Sequence, residues 1–293
     1  MSNNINWGKI YESTAWGSGV TDNNISWGKS YADLAGGGGF DADYQAVLDQ
    51  ASSLGYTAPS AAQQTLQNTL VTDLKTAGVW DKLDVFYVFA TDGDSDYATL
   101  NWKTPSSHQI TKVNSPTFTT DIGFRGNASS SYLNTNYAPS TDAVNYELNN
   151  ASMFMYRSEL ATAGQIQAYE GTFKSGEGYA MISGRAPSYG ENYLNSTAGL
   201  ANSGTNVGVG LQLVNRPNSN TINLYFNGSF VSQNTSATST SVPSVSVWNF
   251  AANNGGSGTF FSNVGHGMWG MGADLTSHQA DLNTSIQNYI SAL

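Results

Sequence analysis

The stretch Thr221-Ile222-Asn223-Leu224-Tyr225-Phe226-Asn227-Gly228-Ser229-Phe230-Val231 decides the fold class. Two β-rich runs meet at Asn227-Gly228. Both central residues of a type I′ turn require φ > 0, and Asn followed by Gly accepts that most readily. Alternation places Ile222, Leu224 and Phe226 on one face, with Asn223 and Tyr225 on the other. A lone hairpin is marginal in water, so this one must belong to a larger sheet.

Outward from the hairpin, the same period of two runs from Leu83 onward. Candidate strands lie at 85–90, 98–102, 131–135, 152–157, 167–173, 178–183, 207–214, 221–226, 229–233, 245–250 and 259–262. Turn residues separate them at short intervals, the pattern of a β-sandwich. Before Leu83 the period changes to that of helices. Tyr44, Val47, Leu48 and Ala51 share one face of a helix over 41–54, and Gly55 fits its C′ position. Ser60-Ala61-Ala62-Gln63 is a capping box that opens a second helix, with Ala62, Leu66, Leu70, Leu74 and Ala77 as its stripe. Thr276-Ser277-His278-Gln279 reads as another box, with Leu275 stapling to Ala280. The terminal helix it opens carries Leu282, Ile286, Tyr289, Ile290 and Leu293 on one face. The expected organisation is an extended arm at 1–40, a small helical hairpin at 41–82 that leans on the sandwich, and a sandwich at 83–293 sealed by the C-terminal helix.

Composition narrows the function classes. Charged residues make up 11% of the 293, about half the usual share, while 39% are hydrophobic and 12% aromatic. Such an uncharged polar surface suits strands, turns and an extracellular or virion setting. The formal charge of −10 repels phosphate backbones, so nucleic acid is not an expected partner. The absence of cysteine excludes disulfides, thiol catalysis and Cys-based zinc sites. The N-terminus lacks the basic and apolar regions of a signal peptide, and no apolar run approaches the ~20 residues a bilayer span needs. The expectation is a soluble product made in a cytosol, without membrane insertion.

The arm holds an internal repeat. Asn3-Asn4-Ile5-Asn6-Trp7-Gly8-Lys9-Ile10-Tyr11 returns as Asn23-Asn24-Ile25-Ser26-Trp27-Gly28-Lys29-Ser30-Tyr31, identical at seven of nine positions. A nine-residue unit cannot bury its own Trp and Tyr. These aromatics either pack on the chain's own sandwich or dock on another protein. In the docking reading the contact residues are Asn4, Ile5, Trp7, Gly8 and Tyr11, with Asn24, Ile25, Trp27, Gly28 and Tyr31 in the second unit. Gly36-Gly37-Gly38-Gly39 then supplies a hinge.

Three stretches resemble the concanavalin-like, laminin-G-like jelly roll. They are Gly123-Phe124-Arg125-Gly126-Asn127 leading to Ser131-Tyr132-Leu133-Asn134-Thr135, the Leu224–Gly228 hairpin, and Gly270-Met271-Gly272-Ala273-Asp274-Leu275-Thr276 with its helix. Together with Ile5-Asn6-Trp7-Gly8-Lys9, the whole chain resembles virion structural proteins of phages that infect Bacteroidetes-type bacteria. That resemblance implies a tail-fibre, spike or decoration component at the outer surface or tail of a virion. It implies a homo-oligomer, often a trimer in such proteins, attached to other virion proteins by its arm. The outward module is then expected to bind a host surface glycan. A purely structural adaptor without receptor binding and a virion-borne glycan hydrolase are the alternatives.

The candidate chemistry is sparse. Retaining glycosidases use two carboxylates ~5 Å apart; no acidic series falls on a candidate strand, and Glu170 and Glu177 fall on different strands or a turn. A non-enzymatic protein without cofactor is therefore expected, with no catalytic residue. His108, His266 and His278 lack metal spacing, and His278 reads as a solvated helix residue. Asp92, Asp94 and Asp96 alternate as Ca²⁺ ligands can, but Tyr97 stands where an EF-hand needs glycine, and a solvated turn is the plainer reading. For glycan contacts the aromatic and amide candidates are Tyr189, Asn192, Tyr193, Trp248, Asn249 and Trp269. Trp248 and Trp269 follow core-like runs, so Tyr189, Asn192 and Tyr193, in a polar loop, are the preferred set.

Overall fold

A computed structural model describes residues 39–160, 166–185, 189–203 and 208–293. The arm residues Asn4, Ile5, Trp7, Gly8, Tyr11, Asn24, Ile25, Trp27, Gly28 and Tyr31 lie outside the described ones.

Two β-sheets face one another. Sheet A contains β1 (Leu83–Val88), β3 (Thr117–Thr119), β4 (Gly123–Arg125), β6 (Ala151–Glu159), β11 (Gly210–Arg216), β12 (Ile222–Phe226), β13 (Ser229–Asn234) and β17 (Gly265–Gly272). Its order is β13-β12-β11-β6-β17-β4-β3, with β1 beside β17. Sheet B contains β2 (Thr111–Val113), β5 (Tyr132–Asn134), β7 (Ile166–Phe173), β8 (Tyr179–Arg185), β9 (Tyr189–Ser196), β10 (Leu200–Ser203), β14 (Trp248–Asn249), β15 (Ala252–Asn254) and β16 (Ser257–Thr259). Its order is β10-β9-β8-β7-β14-β5-β2, and β15 runs parallel to β7 while every other pairing is antiparallel. This is the expected jelly-roll-like sandwich.

The deciding hairpin forms as read. Asn227 and Gly228 take φ 47° and 73° between β12 and β13. The Asn227 side chain adds a bond, its Oδ1 accepting from the Leu211 amide at 2.9 Å. Both faces of β12 are buried: Ile222 and Leu224 between the sheets, Tyr225 on the opposite side.

That opposite side exists because three helices cover sheet A. α1 (Ala42–Leu54) is capped by Asp41 and closed by Gly55 in the left-handed region; α2 (Ala61–Thr76) is capped by Ser60. α3 (Gln279–Ile290) closes the chain. Their apolar residues meet Phe86, Phe154, Tyr156, Leu211, Leu213 and Met268 in one cluster. A second cluster fills the space between the sheets around Trp269, Met153, Met155, Tyr87 and Phe250. Alternate residues of β6 and β17 serve the two layers, which is why β6 reads as a continuous apolar run from Met153 to Tyr156.

Several expectations are corrected. The 98–102 strand is a 3₁₀ turn at Tyr97–Thr99, because Asp94 caps the amides of Asp96 and Tyr97. The 245–250 strand shrinks to β14, and the 259–262 strand shifts to β16. The Thr276 box does not form: Thr276 Oγ1 donates to Asp274 Oδ1, and α3 starts after His278. His278 is half-buried rather than solvated, with Nδ1 3.0 Å from the Ala77 carbonyl oxygen. The buried face of α2 passes through Gln63 and Gln67, leaving Ala62 exposed, and Leu293 is exposed as well. Strand β17, central to sheet A, lay in a stretch with no strand assignment. Four of its eight residues are glycine, and a Cβ on Gly270 would stand 2.4 Å from the Phe154 ring. Glycine is required there by the neighbour, not by the strand.

Candidate binding face

With helices over sheet A, the outer face of sheet B is the one that no described helix covers. Register arranges its side chains. Trp248 of β14 pairs with Gly171 of β7, Gly171 with Met181 of β8, and Met181 with Tyr193 of β9. Strand period two then puts these four positions on one face, in a row that crosses four strands. Tyr132 of β5 stacks on Trp248 with ring centroids 3.9 Å apart, and Phe261 stands 6.4 Å from Tyr132. Further along, Tyr179 meets Tyr193 at 5.5 Å and Phe173 at 5.4 Å, and Phe173 meets Phe260 at 6.1 Å. Phe260 is 45% exposed, while Tyr132, Phe173, Tyr179, Tyr193 and Phe261 are half-buried.

Polar groups border this aromatic floor. The Tyr193 hydroxyl donates to Glu191 Oε2 at 2.6 Å. Lys174 Nζ lies 2.6 Å from Glu177 Oε1 and 3.0 Å from Ser244 Oγ. Hydrogen bonds and this ion pair hold the Glu177 carboxyl below its ordinary range, against an opposing burial effect. The face offers rings flanked by hydroxyl, ammonium and carboxylate groups. It suits a ligand with apolar faces and polar edges.

Of the preferred sequence candidates, Tyr193 stands on this face. Tyr189 opens β9, and its side chain lies outside the described ones. Asn192 points inward and is fully buried, its Oδ1 accepting from Gln212 Nε2 at 2.9 Å. The expected polar loop is therefore strand β9, and Asn192 belongs to the interior. Trp248 lies under Tyr132, Asn249 is buried, and Trp269 packs in the core. Phe173, Tyr179, Met181, Phe260 and Phe261 were missed. The signal was present in the Tyr179-Ala180-Met181-Ile182 alternation, whose outward set is aromatic or sulfur-bearing instead of polar.

Beneath the floor, the sheets enclose a polar cluster. Glu170 and His266 are both 0% exposed, with Oε2 and Nε2 3.6 Å apart. His266 Nδ1 faces Asn249 Oδ1 at 3.1 Å. Arg157 donates to Gln212 Oε1 at 3.1 Å and lies over the Tyr169 ring. Burial pushes the Glu170 carboxyl well above its ordinary range, with Arg157 opposing. Burial also takes His266 down to about 3, and Arg157 adds to this. The pair is thus a carboxylic acid facing a neutral imidazole. Glu177 sits in a turn, so the two glutamates do not face one another across an open groove.

The three aspartates do not converge as calcium ligands. Asp92 accepts from the Ser60 amide, Asp94 from the amides of Thr57, Asp96 and Tyr97, and Asp96 pairs with Lys112 at 2.7 Å. Among the described residues no three His, Asp or Glu side chains are grouped to hold a metal ion. No described helix is long and apolar enough to cross a membrane.

No family model and no curated protein matches the chain. Among solved structures, it is similar to the botulinum neurotoxin serotype D binding domain, at 9% identity and TM-score 0.47 over 72% of this chain and 52% of that one. It is similar to the NanB sialidase of Streptococcus pneumoniae at 14% identity and TM-score 0.34, covering 45% of this chain and 23% of that one. The CBM40 of the Ruminococcus gnavus IT-sialidase gives 10% identity and TM-score 0.34, covering 43% and 76%. The chain therefore spans about half the toxin domain and a quarter of the sialidase.

Proposed function

We propose that the outer face of sheet B is a carbohydrate-binding platform and that the protein acts by binding, not by cleavage. The observation that carries this reading is the aromatic floor on the sheet that no described helix covers. Sugar rings present C–H faces to aromatic side chains and hydroxyl edges to charged groups and hydroxyls, the two kinds of group this face combines. The burial of Glu170 against His266 supports a binding role over a hydrolytic one, since an acid catalyst must reach its substrate.

A place on a virion surface, with attachment through the arm and homo-oligomeric assembly, is the setting we propose for this module. It is supported by the resemblance of the sequence motifs and by the repeated Asn-Ile-x-Trp-Gly-Lys unit. A glycan array probed with the intact chain and with a Tyr193→Ala, Phe260→Ala double variant tests the platform. Selective retention by the intact chain is expected; equal signals, or none, refute it.

A further inference from the structure

We propose that Asn254 is a site of spontaneous deamidation, a self-modification that adds a negative charge beside the aromatic floor. The chemistry goes beyond the platform reading and does not depend on it. An asparagine carboxamide is attacked by the backbone nitrogen of the next residue most readily when that residue is glycine. Glycine has no Cβ to obstruct the approach and takes backbone angles that other residues avoid. The chain has two Asn-Gly pairs, Asn227-Gly228 and Asn254-Gly255. The first is the turn between β12 and β13, and the second opens the turn between β15 and β16.

The two sites differ in what holds the carboxamide. Asn227 is fastened: its Oδ1 accepts from the Leu211 amide at 2.9 Å, while its own amide donates to the Leu211 carbonyl oxygen at 2.9 Å. Gly228 is pressed against α3, where an added Cβ would stand 3.1 Å from Asn283 Cβ. Turning this carboxamide onto the Gly228 nitrogen breaks the Oδ1 bond. Asn254 has no such restraint. It ends β15, it is exposed, and among the described residues its carboxamide has no hydrogen-bond partner. Gly255 and Gly256 take φ 57° and 98°. An added Cβ on Gly255 would meet only Lys174 Cγ, at 4.0 Å, and one on Gly256 would meet nothing within 4 Å. That open space admits a succinimide ring. The preceding Asn253 is the reverse case, buried, with Nδ2 donating to the Ser246 carbonyl oxygen and Oδ1 accepting from the Gly256 amide, both at 2.7 Å.

In the first step the Gly255 nitrogen bonds to Asn254 Cγ and the Cγ–Nδ2 bond breaks. Nδ2 leaves as ammonia, taking the proton that the Gly255 amide loses. Water then adds to one of the two ring carbonyls and reopens the ring. Cleavage at Cγ gives aspartate; cleavage at the Asn254 backbone carbonyl gives isoaspartate. Either product carries a carboxylate. Asn254 stands in parallel register with Phe173, whose ring belongs to the floor. The new anion therefore lies at the border of that face.

Peptide mass spectrometry of the intact chain, aged in mildly alkaline heavy-oxygen water, tests the proposal. The Asn254 peptide should convert about tenfold faster than the Asn227 peptide, the difference reporting the bonds that Asn227 must release. In urea, where neither side chain is held, the two rates should come within about twofold of each other. Asn254→Gln, whose longer side chain closes a less favourable ring, should remove the acidic form that ion exchange separates from the aged parent. Equal conversion of the two peptides in the folded protein overturns the proposal. So does an Asn254 that stays intact while both sites convert in urea, or an acidic form that persists in Asn254→Gln. No ligand enters the measurement, so its outcome leaves the platform reading to its own test.

Discussion

Replacing Glu170 by Gln should change how the stability of this protein depends on pH. In the fold, burial keeps the Glu170 carboxyl protonated well above its ordinary value near 4.5. In the unfolded chain the same group ionises at that value. Between the two, the folded state holds a proton that the unfolded state has lost, so stability falls as pH rises. His266 has the opposite sign: its folded value near 3 lies below the ordinary 6.5, so its contribution is lost as pH falls below 6.5. The two effects cancel between 4.5 and 6.5, where folded and unfolded pairs each hold one proton. Above 6.5 only the Glu170 effect remains, so stability falls with rising pH there. A glutamine amide at this position cannot ionise. The stability of the parent minus that of Glu170→Gln should therefore fall as pH rises above 4.5, by at most about 1.4 kcal/mol per unit, the slope of one proton. Urea denaturation of both proteins at half-unit intervals from pH 4.5 to 8 measures the difference, and nitrogen NMR of His266 reports whether its ring is neutral. Parallel profiles for the two proteins would refute the reasoning, as would an imidazolium signal at pH 6.

Other consequences are local. Gly228→Val forces a β-branched residue to φ 73°, and its Cβ would stand 3.1 Å from Asn283 Cβ; a loss of about 1–3 kcal/mol by chemical denaturation is expected. Gln67 is a buried node under the helices, accepting from the hydroxyls of Tyr44 and Tyr97 and donating to Thr91 and Tyr289. Gln67→Leu leaves two buried hydroxyls without that acceptor and should cost about 3 kcal/mol in the same assay. In the arm, Trp7→Ala or Trp27→Ala should weaken incorporation into particles by about 2–4 kcal/mol with no change in the melting temperature of the sandwich. Intact incorporation after deletion of residues 1–35 would end the docking proposal.

What the sequence disclosed and what it hid follow from one physical distinction. Features set by local backbone chemistry were legible: the Asn227-Gly228 turn, the Asp41 and Ser60 caps, and the Gly55 stop each need only their own neighbours. Features set by a partner distant in sequence were not. Strand β17 looks like a loop because its glycines answer to Phe154 and Lys82, which approach only after folding. Strand β9 looks like a loop for a different reason. Asn192 and Tyr193 obey strand alternation with the polarity reversed, the amide buried against Gln212 and the ring turned outward. The same inversion recurs on β7, where Glu170 faces in and Phe173 faces out, and on β14, where Asn249 faces in and Trp248 out. Folding alone does not favour this arrangement, since each inward amide or carboxyl must find partners and outward rings such as Phe173 and Tyr193 stay half-exposed. Its repetition on three strands of the sheet that no described helix covers is the physical reason the proposed function is put on this face, and it is a signal that a strand assignment by simple polarity misses.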